Sequence, residues 1–358
     1  MKVAFRVDAS TLTGVGHVMR CVTLAGALRE HVAEIVFICR PQPGDSINWI
    51  RERGFTVLEL SSSTSVTPID CLLEGDAEDS LRLLADGAAV DWLIVDHYGV
   101  NHHWERALRR VVRRILVIDD LANRNHDCDL LLDQNFYCNG EHRYDGLLPS
   151  HCQVFLGPAY VLLRDEFYEL KKHVRRRDGS IRHVMCFYGA SDPTGETLKA
   201  VMALQAPGME ALTVDVVVGA ANPQRDSIAA LCEKLPNFTF HCQTNRMAEL
   251  CARADLALGA GGSANWERAF LGLPSLVTIT ADNQAETTRA MASVGGVWLL
   301  GKAASVTDAG ISAALREAMA SGGRLEYISR TALSIMDSGD IHGPQALIKV
   351  MLVERWVH

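Results

Sequence analysis

The ten cysteines of this chain include no pair at C-x-x-C spacing. That absence excludes the common zinc and dithiol frameworks. Single cysteines inside apolar runs, such as Cys39 and Cys186, read instead as buried free thiols of a reducing compartment. No apolar run approaches the roughly 20 residues of a membrane span, so stable membrane insertion is not expected. The chain opens directly on Lys2–Asp8, without a basic-then-apolar leader, and a cytoplasmic location is the expectation. Positive charge is in deficit: 35 Lys and Arg against 43 Asp and Glu give a net charge of −8. Nucleic acid, whose binding is driven by phosphate neutralisation, is therefore not an expected partner. Arg106, Arg109, Arg110, Arg113 and Arg114 recur at helical spacing and read as one solvated helix face. No constellation of side chains has the form of a divalent-cation site, and neither a metal nor a cofactor is expected. Asp119 and Asp120 are adjacent on a strand and point to opposite faces. No feature specifies an oligomeric state.

What is present is an ordinary globular composition, 48% hydrophobic and 22% charged over 358 residues, enough for two domains. Lys2–Asp8, Glu34–Arg40, Phe55–Leu60, Asp91–Tyr98, Arg114–Leu121 and Leu130–Asp133 read as strands. A short helix is expected over Asp76–Gly87 and another over Trp104–Val112. A second series, His183–Tyr188, Leu212–Gly219, Phe238–Cys242, Leu256–Gly259, Ser275–Thr280 and Val297–Leu300, repeats the rhythm. Its helices include Gln224–Leu235 and Ala264–Leu271. Strands alternating with helices predict two mainly parallel α/β domains, with a ligand cleft between them and loops at the strands' C-terminal ends lining it. The charged run Lys171–Gly179 marks the expected linker. The predicted divisions are residues 1–172, 173–341 and a C-terminal helix in 342–358. That helix, about Pro344–Trp356, is long enough to return to the first domain.

The densest chemistry lies in Gly14-Val15-Gly16-His17-Val18-Met19-Arg20, after the first strand. Gly14 and Gly16 sit at a strand-to-helix turn where backbone can approach a ligand. His17 stands at the partly positive helix end, which favours the neutral imidazole that accepts a proton. A histidine that merely caps or packs is the alternative. Asp8, ending the first strand, is the expected orienter of His17. In the second half, Gly259-Ala260-Gly261-Gly262-Ser263 opens a helix and reads as a diphosphate cradle. Glu267, one turn on, can reach a ribose diol with both oxygens, or is an exposed acid behind a helix cap. Gly189 and Ser191 lie in a polar loop whose Ser191 or Asp192 can simply cap the next helix. Asn283 can cap a helix while Gln284 reaches a sugar hydroxyl. In Asp96-His97-Tyr98-Gly99, Tyr98 is the preferred ligand contact, and His97 can equally satisfy a core carbonyl. Of Asp119 and Asp120, one is expected to be a cap or a partner of Arg124.

R-x-D-A-S at Arg6–Ser10, G-x-G-H-x-M-R at Gly14–Arg20, D-H-Y-G at Asp96–Gly99 and I-D-D-L-A at Ile118–Ala122 follow in order. L-L-D-Q-N at Leu131–Asn135 and G-A-G-G-S-x-x-W-E-R at Gly259–Arg268 complete the set. Together, over roughly Lys2–Ala292, they resemble the UDP-sugar hydrolases of pseudaminic acid biosynthesis. The second-half loop is also similar to that of the peptidoglycan N-acetylglucosaminyltransferase. The resemblance implies a GT-B fold, two Rossmann-like domains with a cleft between them, with UDP on the second domain and sugar on the first. It implies metal-independent cleavage of UDP-2,4-diacetamido-2,4,6-trideoxy-β-L-altropyranose between sugar C1 and the phosphate oxygen, with inversion. His17, Asp8 and Tyr98 are then the catalytic candidates. Gly14, Gly16, Arg20, Gly189, Ser191, Gly261, Gly262, Ser263, Glu267, Asn283 and Gln284 are the substrate-binding candidates. Part of that family has Gly-Gly-Ser-Asp where this chain has Gly189-Ala190-Ser191-Asp192. A UDP-sugar glycosyltransferase of the same fold and a non-catalytic nucleotide-sugar binding protein are the competing possibilities.

Overall fold

A computed structural model describes residues 1–10, 13–61, 69–85, 87–337 and 343–353. The chain divides into two compact units. The first comprises Met1–Asn135, Asn139–Leu162 and Asp340–His358; the second comprises Phe136–Cys138 and Leu163–Gly339.

In unit 1, β1 (Lys2–Val7), α1 (Gly16–Leu28), β2 (Glu34–Cys39), α2 (Ile47–Glu52), β3 (Thr56–Glu59) and α3 (Ile69–Ala85) form the first half. They are followed by β4 (Val90–Asp96), α4 (His102–Leu108), β5 (Val112–Ile118), β6 (Leu130–Asp133) and β7 (Gln153–Leu156). The strand order is β3-β2-β1-β4-β5-β6-β7, and every pairing is parallel. The central strands are mostly apolar because helices cover both faces of the sheet, with Arg6 of β1 and Asp96 of β4 the buried charged exceptions. Val3, Phe5 and Val7 of β1 pack with Val18, Leu24 and Leu28 of α1 on one side. Ala4, Leu93 and Val95 pack with Trp104 and Leu108 on the other.

Unit 2 begins with α5 (Asp165–Lys171), β8 (His183–Phe187), α6 (Glu196–Ala203), β9 (Thr213–Val218), α7 (Arg225–Cys232) and β10 (Phe238–Cys242). It continues through α8 (Met247–Arg253), β11 (Leu256–Ala260), α9 (Ala264–Phe270), β12 (Ser275–Ile279), α10 (Ala285–Ser293) and β13 (Trp298–Lys302). Helices α11 (Asp308–Ala320) and α12 (Gly322–Ile335) close it. Its sheet, in the order β10-β9-β8-β11-β12-β13, is again wholly parallel. The last helix, α13 (Gly343–Val353), belongs to unit 1. Its Leu347, Ile348 and Met351 enter the core of β1 and α1, and Trp92 Nε1 donates to the Met351 carbonyl at 3.3 Å. The predicted extension of this helix to Trp356 lies outside the described residues.

Four expectations change. The division falls at Leu162/Leu163, ten residues before the predicted 172/173 boundary. The charged run is not a linker, because it packs on unit 2: Arg177 is buried and donates to the carbonyls of Cys251, Ala254 and Leu271. The third helix starts at Ile69 rather than Asp76, and β7 is an additional edge strand. No helix among the described residues is long and apolar enough to cross a membrane.

Candidate active site

The site in unit 1 is built where β1 and β4 end beside the start of α1. Gly14 has φ +72°, a left-handed conformation that disfavours any side chain, and its N–H donates to the Ser10 carbonyl at 2.9 Å. This turn lets α1 start at Gly16, so His17 is the second residue of the helix and Arg20 follows one turn later. Strand β4 pairs directly with β1, with Asp96 opposite Val7, and Asp96 therefore emerges beneath the helix start.

His17 Nδ1 lies 2.6 Å from Asp96 Oδ1. A carboxylate only accepts, so this contact selects the tautomer with the proton on Nδ1 and leaves the Nε2 lone pair able to accept. Nε2 makes no hydrogen bond among the described residues. Arg20 grips the same carboxylate through both edges, Nε to Oδ2 at 2.6 Å and an Nη2 bond to Oδ1 at 2.6 Å, and reaches Asp120 Oδ2 through Nη1 at 3.2 Å. Burial alone would raise the Asp96 pKa, but the Arg20 guanidinium and then His17 outweigh it and hold the carboxyl well below its usual range. Asp96 thus stays anionic and fixed. The ring of Tyr98 meets the His17 ring edge-on, with centroids 4.6 Å apart.

Two expectations are corrected here. Asp8 does not orient His17; its carboxylate is committed to Arg6, with Oδ1 2.7 Å from Nη1, and to the Arg40 N–H at 2.7 Å. His97 Nε2 is 3.3 Å from Asp8 Oδ2. Arg6 is fully buried and also binds Asp76, so this second network braces the end of β1 beneath the site. Arg20 is not a free ligand-binding cation, because all its guanidinium nitrogens are spent on Asp96 and Asp120. The residue missed from sequence is Asp96 as orienter; its signal was its place in D-H-Y-G at a strand end. Asp119 does take the predicted roles, accepting from Ala122 N–H at 2.8 Å and pairing with Arg124 at 2.9 Å.

In unit 2 the Gly259–Ser263 loop is held from inside. Buried Arg268 donates to the Ala260 carbonyl at 2.7 Å and to Ser275 Oγ at 3.1 Å. A Cβ on Gly261 would stand 2.0 Å from Thr288 Oγ1, and one on Gly262 3.4 Å from Gln284 Nε2. The glycines thus admit α10 against the loop. Thr288 Oγ1 is buried and has no hydrogen-bond partner among the described residues. Gln284 turns its carbonyl oxygen to Thr280, accepting from the N–H and the hydroxyl at 3.1 Å each, which leaves its amide nitrogen at the loop. Ser263 is exposed at the start of α9 and its side chain makes no cap. Asn283 is exposed one residue before Gln284.

Glu267 differs from expectation in one respect: Oε1 already accepts from Arg164 at 3.2 Å, so a two-oxygen contact with a diol needs Arg164 to yield. Burial nonetheless pushes the Glu267 carboxyl up, against the opposing pull of Arg164. After β8, Gly189 takes φ +104° and Ser191 is half-buried. Asp192 is the cap of α6, accepting from Glu196 N–H at 3.1 Å and Thr197 N–H at 2.8 Å. No cluster of three His, Cys, Asp or Glu side chains suited to a metal ion exists among the described residues.

No family model matches the chain. It is 34% identical over 178 residues to the UDP-2,4-diacetamido-2,4,6-trideoxy-beta-L-altropyranose hydrolase of Campylobacter jejuni, covering 49% of this chain and 57% of the relative. An uncharacterised protein of Methanocaldococcus jannaschii is 27% identical over 293 residues, 80% of this chain and 57% of that one. The spore coat polysaccharide biosynthesis protein SpsG of Bacillus subtilis is 28% identical over 311 residues, 86% of each chain. The chain thus spans a little over half the length of the first two relatives. Among solved structures, MurG of Acinetobacter baumannii superposes with a TM-score of 0.67 at 13% identity, covering 98% of this chain and 99% of its own. Phytolacca americana UGT2, complexed with UDP-2-fluoro-glucose and pterostilbene, gives 0.66 at 11% identity, covering 99% of both chains. The chain has the GT-B fold, and in sequence it is similar over half its length to a UDP-sugar hydrolase.

Proposed function

We propose that this protein is an enzyme acting on a UDP-sugar, and that it hydrolyses UDP-2,4-diacetamido-2,4,6-trideoxy-β-L-altropyranose or a close relative. The observation that carries the proposal is the His17–Asp96 pair: a base whose Nδ1 proton is anchored on a buried carboxylate and whose Nε2 is unengaged. His17 Nε2 removes a proton from water as the water attacks sugar C1 on the face opposite the nucleotide. Asp96, kept anionic by Arg20, holds the imidazole in the accepting tautomer and stabilises the imidazolium that forms. The C1–O bond breaks, its electron pair leaves with UDP, and the anomeric centre inverts. Backbone N–H groups of Gly261–Ser263 and the Gln284 amide supply donors for the diphosphate, and Tyr98 sets the orientation of the His17 ring. The sequence likeness to the Campylobacter hydrolase supports this substrate.

The same pair equally suits deprotonation of an acceptor hydroxyl, which makes a UDP-sugar glycosyltransferase the second reading. Pure protein incubated with EDTA and the UDP-sugar alone, followed by NMR, separates the two. Release of UDP and free sugar without acceptor supports the hydrolase. Stable bound substrate that turns over only when an acceptor is added supports the transferase. Tight binding without turnover under either condition removes the enzymatic reading.

A further inference from the structure

Unit 2 carries an open surface groove lined by Leu170, Arg175, Arg182, His183, Arg253 and Asp255, among others. It lies at the other end of the sheet from the Gly259–Ser263 loop. His183 opens β8 and Asp255 directly precedes β11, whereas the loop follows the C-terminal end of β11. Strand β11 spans five residues, so the two places are about 16 Å apart along the sheet.

Its carboxylates are already saturated with donors. Asp255 accepts from Arg175, from the Arg182 N–H at 2.8 Å and from the His183 N–H at 2.9 Å. Behind the groove, buried Asp215 accepts from His183 Nε2 at 2.5 Å, His241 Nε2 at 2.7 Å and Arg253. Glu249 on the rim is held by Arg246 at 2.8 Å. Arg175, Arg182 and Arg253 line it with Asp255 and Glu249, Asp215 lies behind it and Asp178 acts on Arg182, so charge is balanced but guanidinium donors are left over. Arg175 uses only Nη2, Arg253 keeps Nη1, and the Arg182 guanidinium makes no hydrogen bond or ion pair among the described residues. The ion pairs fix two of the three guanidinium heads before any ligand arrives, which lowers the ordering cost of binding. Leu170 supplies an apolar wall.

We propose that this groove is a second ligand site of the protein, for a phosphate- or diphosphate-bearing small molecule whose charged group is bound by Arg175, Arg182 and Arg253. It stands apart from the nucleotide loop at the opposite strand ends and does not depend on the proposed reaction. Calorimetric titration with inorganic pyrophosphate, at ionic strength held constant with sodium chloride, tests it on wild type, Arg182→Glu, Arg182→Gln and Gly261→Ala. Arg182 is exposed, so both of its variants keep the buried pairs; unfolding curves of the free proteins verify this. Wild type is expected to show saturable binding with a component that is weakened tenfold or more in Arg182→Glu, less in Arg182→Gln, and retained in Gly261→Ala, the binding left in Arg182→Glu being that of the nucleotide loop. Absence of saturable binding, equal binding by wild type and Arg182→Glu, or equal weakening in Arg182→Glu and Gly261→Ala would overturn the assignment.

Discussion

Replacing Asp133 with asparagine isolates one buried charge of unit 1 and gives a pH signature of fixed sign. Asp133 ends β6 fully buried, accepting from the Asn135 N–H at 3.0 Å. Its Oδ2 is 3.1 Å from the Tyr144 hydroxyl, which is also 3.1 Å from Asp119 Oδ2. Burial is the largest influence and the neighbouring Asp120 adds to it, so that despite Asn135, Arg143 and Tyr144 the carboxyl is pushed up to about 7. An unfolded aspartate titrates near 3.9, so the folded state binds the proton more tightly. The stability contributed by this group is complete below about pH 4 and is lost as pH rises through about 7. A shift of about three pH units corresponds to about 4 kcal/mol. Asparagine mimics the protonated form, with its amide donating to Tyr144, but forfeits the 3.4 Å ion pair with Arg143. The expected result is near-equal stability of wild type and Asp133→Asn at pH 4–5, and an advantage of about 2–4 kcal/mol for the variant at pH 8. Urea unfolding of both proteins across this range reads the difference directly, because all other titrating groups cancel. Parallel stability curves, or a variant that is less stable at pH 8, would refute the reasoning.

Asp96→Asn removes the charge that anchors His17 and leaves Arg20 buried without its main partner; turnover should fall about 10²–10⁴-fold and unfolding free energy by about 3–5 kcal/mol. Because the Asp96 carboxyl is held low in the folded state, its stabilisation is complete above about pH 4 and is lost on further acidification, so acid unfolding curves of wild type and Asp96→Asn should converge there. Gly14→Ala forces a side chain into φ +72° and should cost about 1–2 kcal/mol by thermal unfolding, with slower turnover from a displaced His17. Gly261→Ala places a methyl 2.0 Å from Thr288 Oγ1, so UDP affinity measured by calorimetry should drop by about tenfold or more as the loop shifts away from α10.

Strand and helix alternation, the opening Gly14–Arg20 turn and the Gly259–Arg268 loop were legible because each is local in the chain. The identity of the His17 partner was not. Asp8 and Asp96 both lie at strand ends, and only the adjacency of β1 and β4, a non-local fact, decides which carboxylate meets the imidazole. Arg20 looked like a ligand cation for the same reason, since its partners come from the ends of β4 and β5. The unit boundary was misplaced because a run of Lys and Arg suggests solvent, whereas Arg177 fills a pocket of backbone carbonyls contributed by residues 74 to 94 positions away. Strand β7 has four half-exposed or exposed residues and no alternation that a sequence pattern can register.

The most direct test of the central claim is turnover of the UDP-sugar, in EDTA and without acceptor, by a His17→Ala variant that is folded and still binds UDP. The account predicts release of UDP and free sugar by wild type and a loss of about 10²–10⁴-fold in the variant, with UDP affinity unchanged. Near-normal turnover by His17→Ala would contradict it.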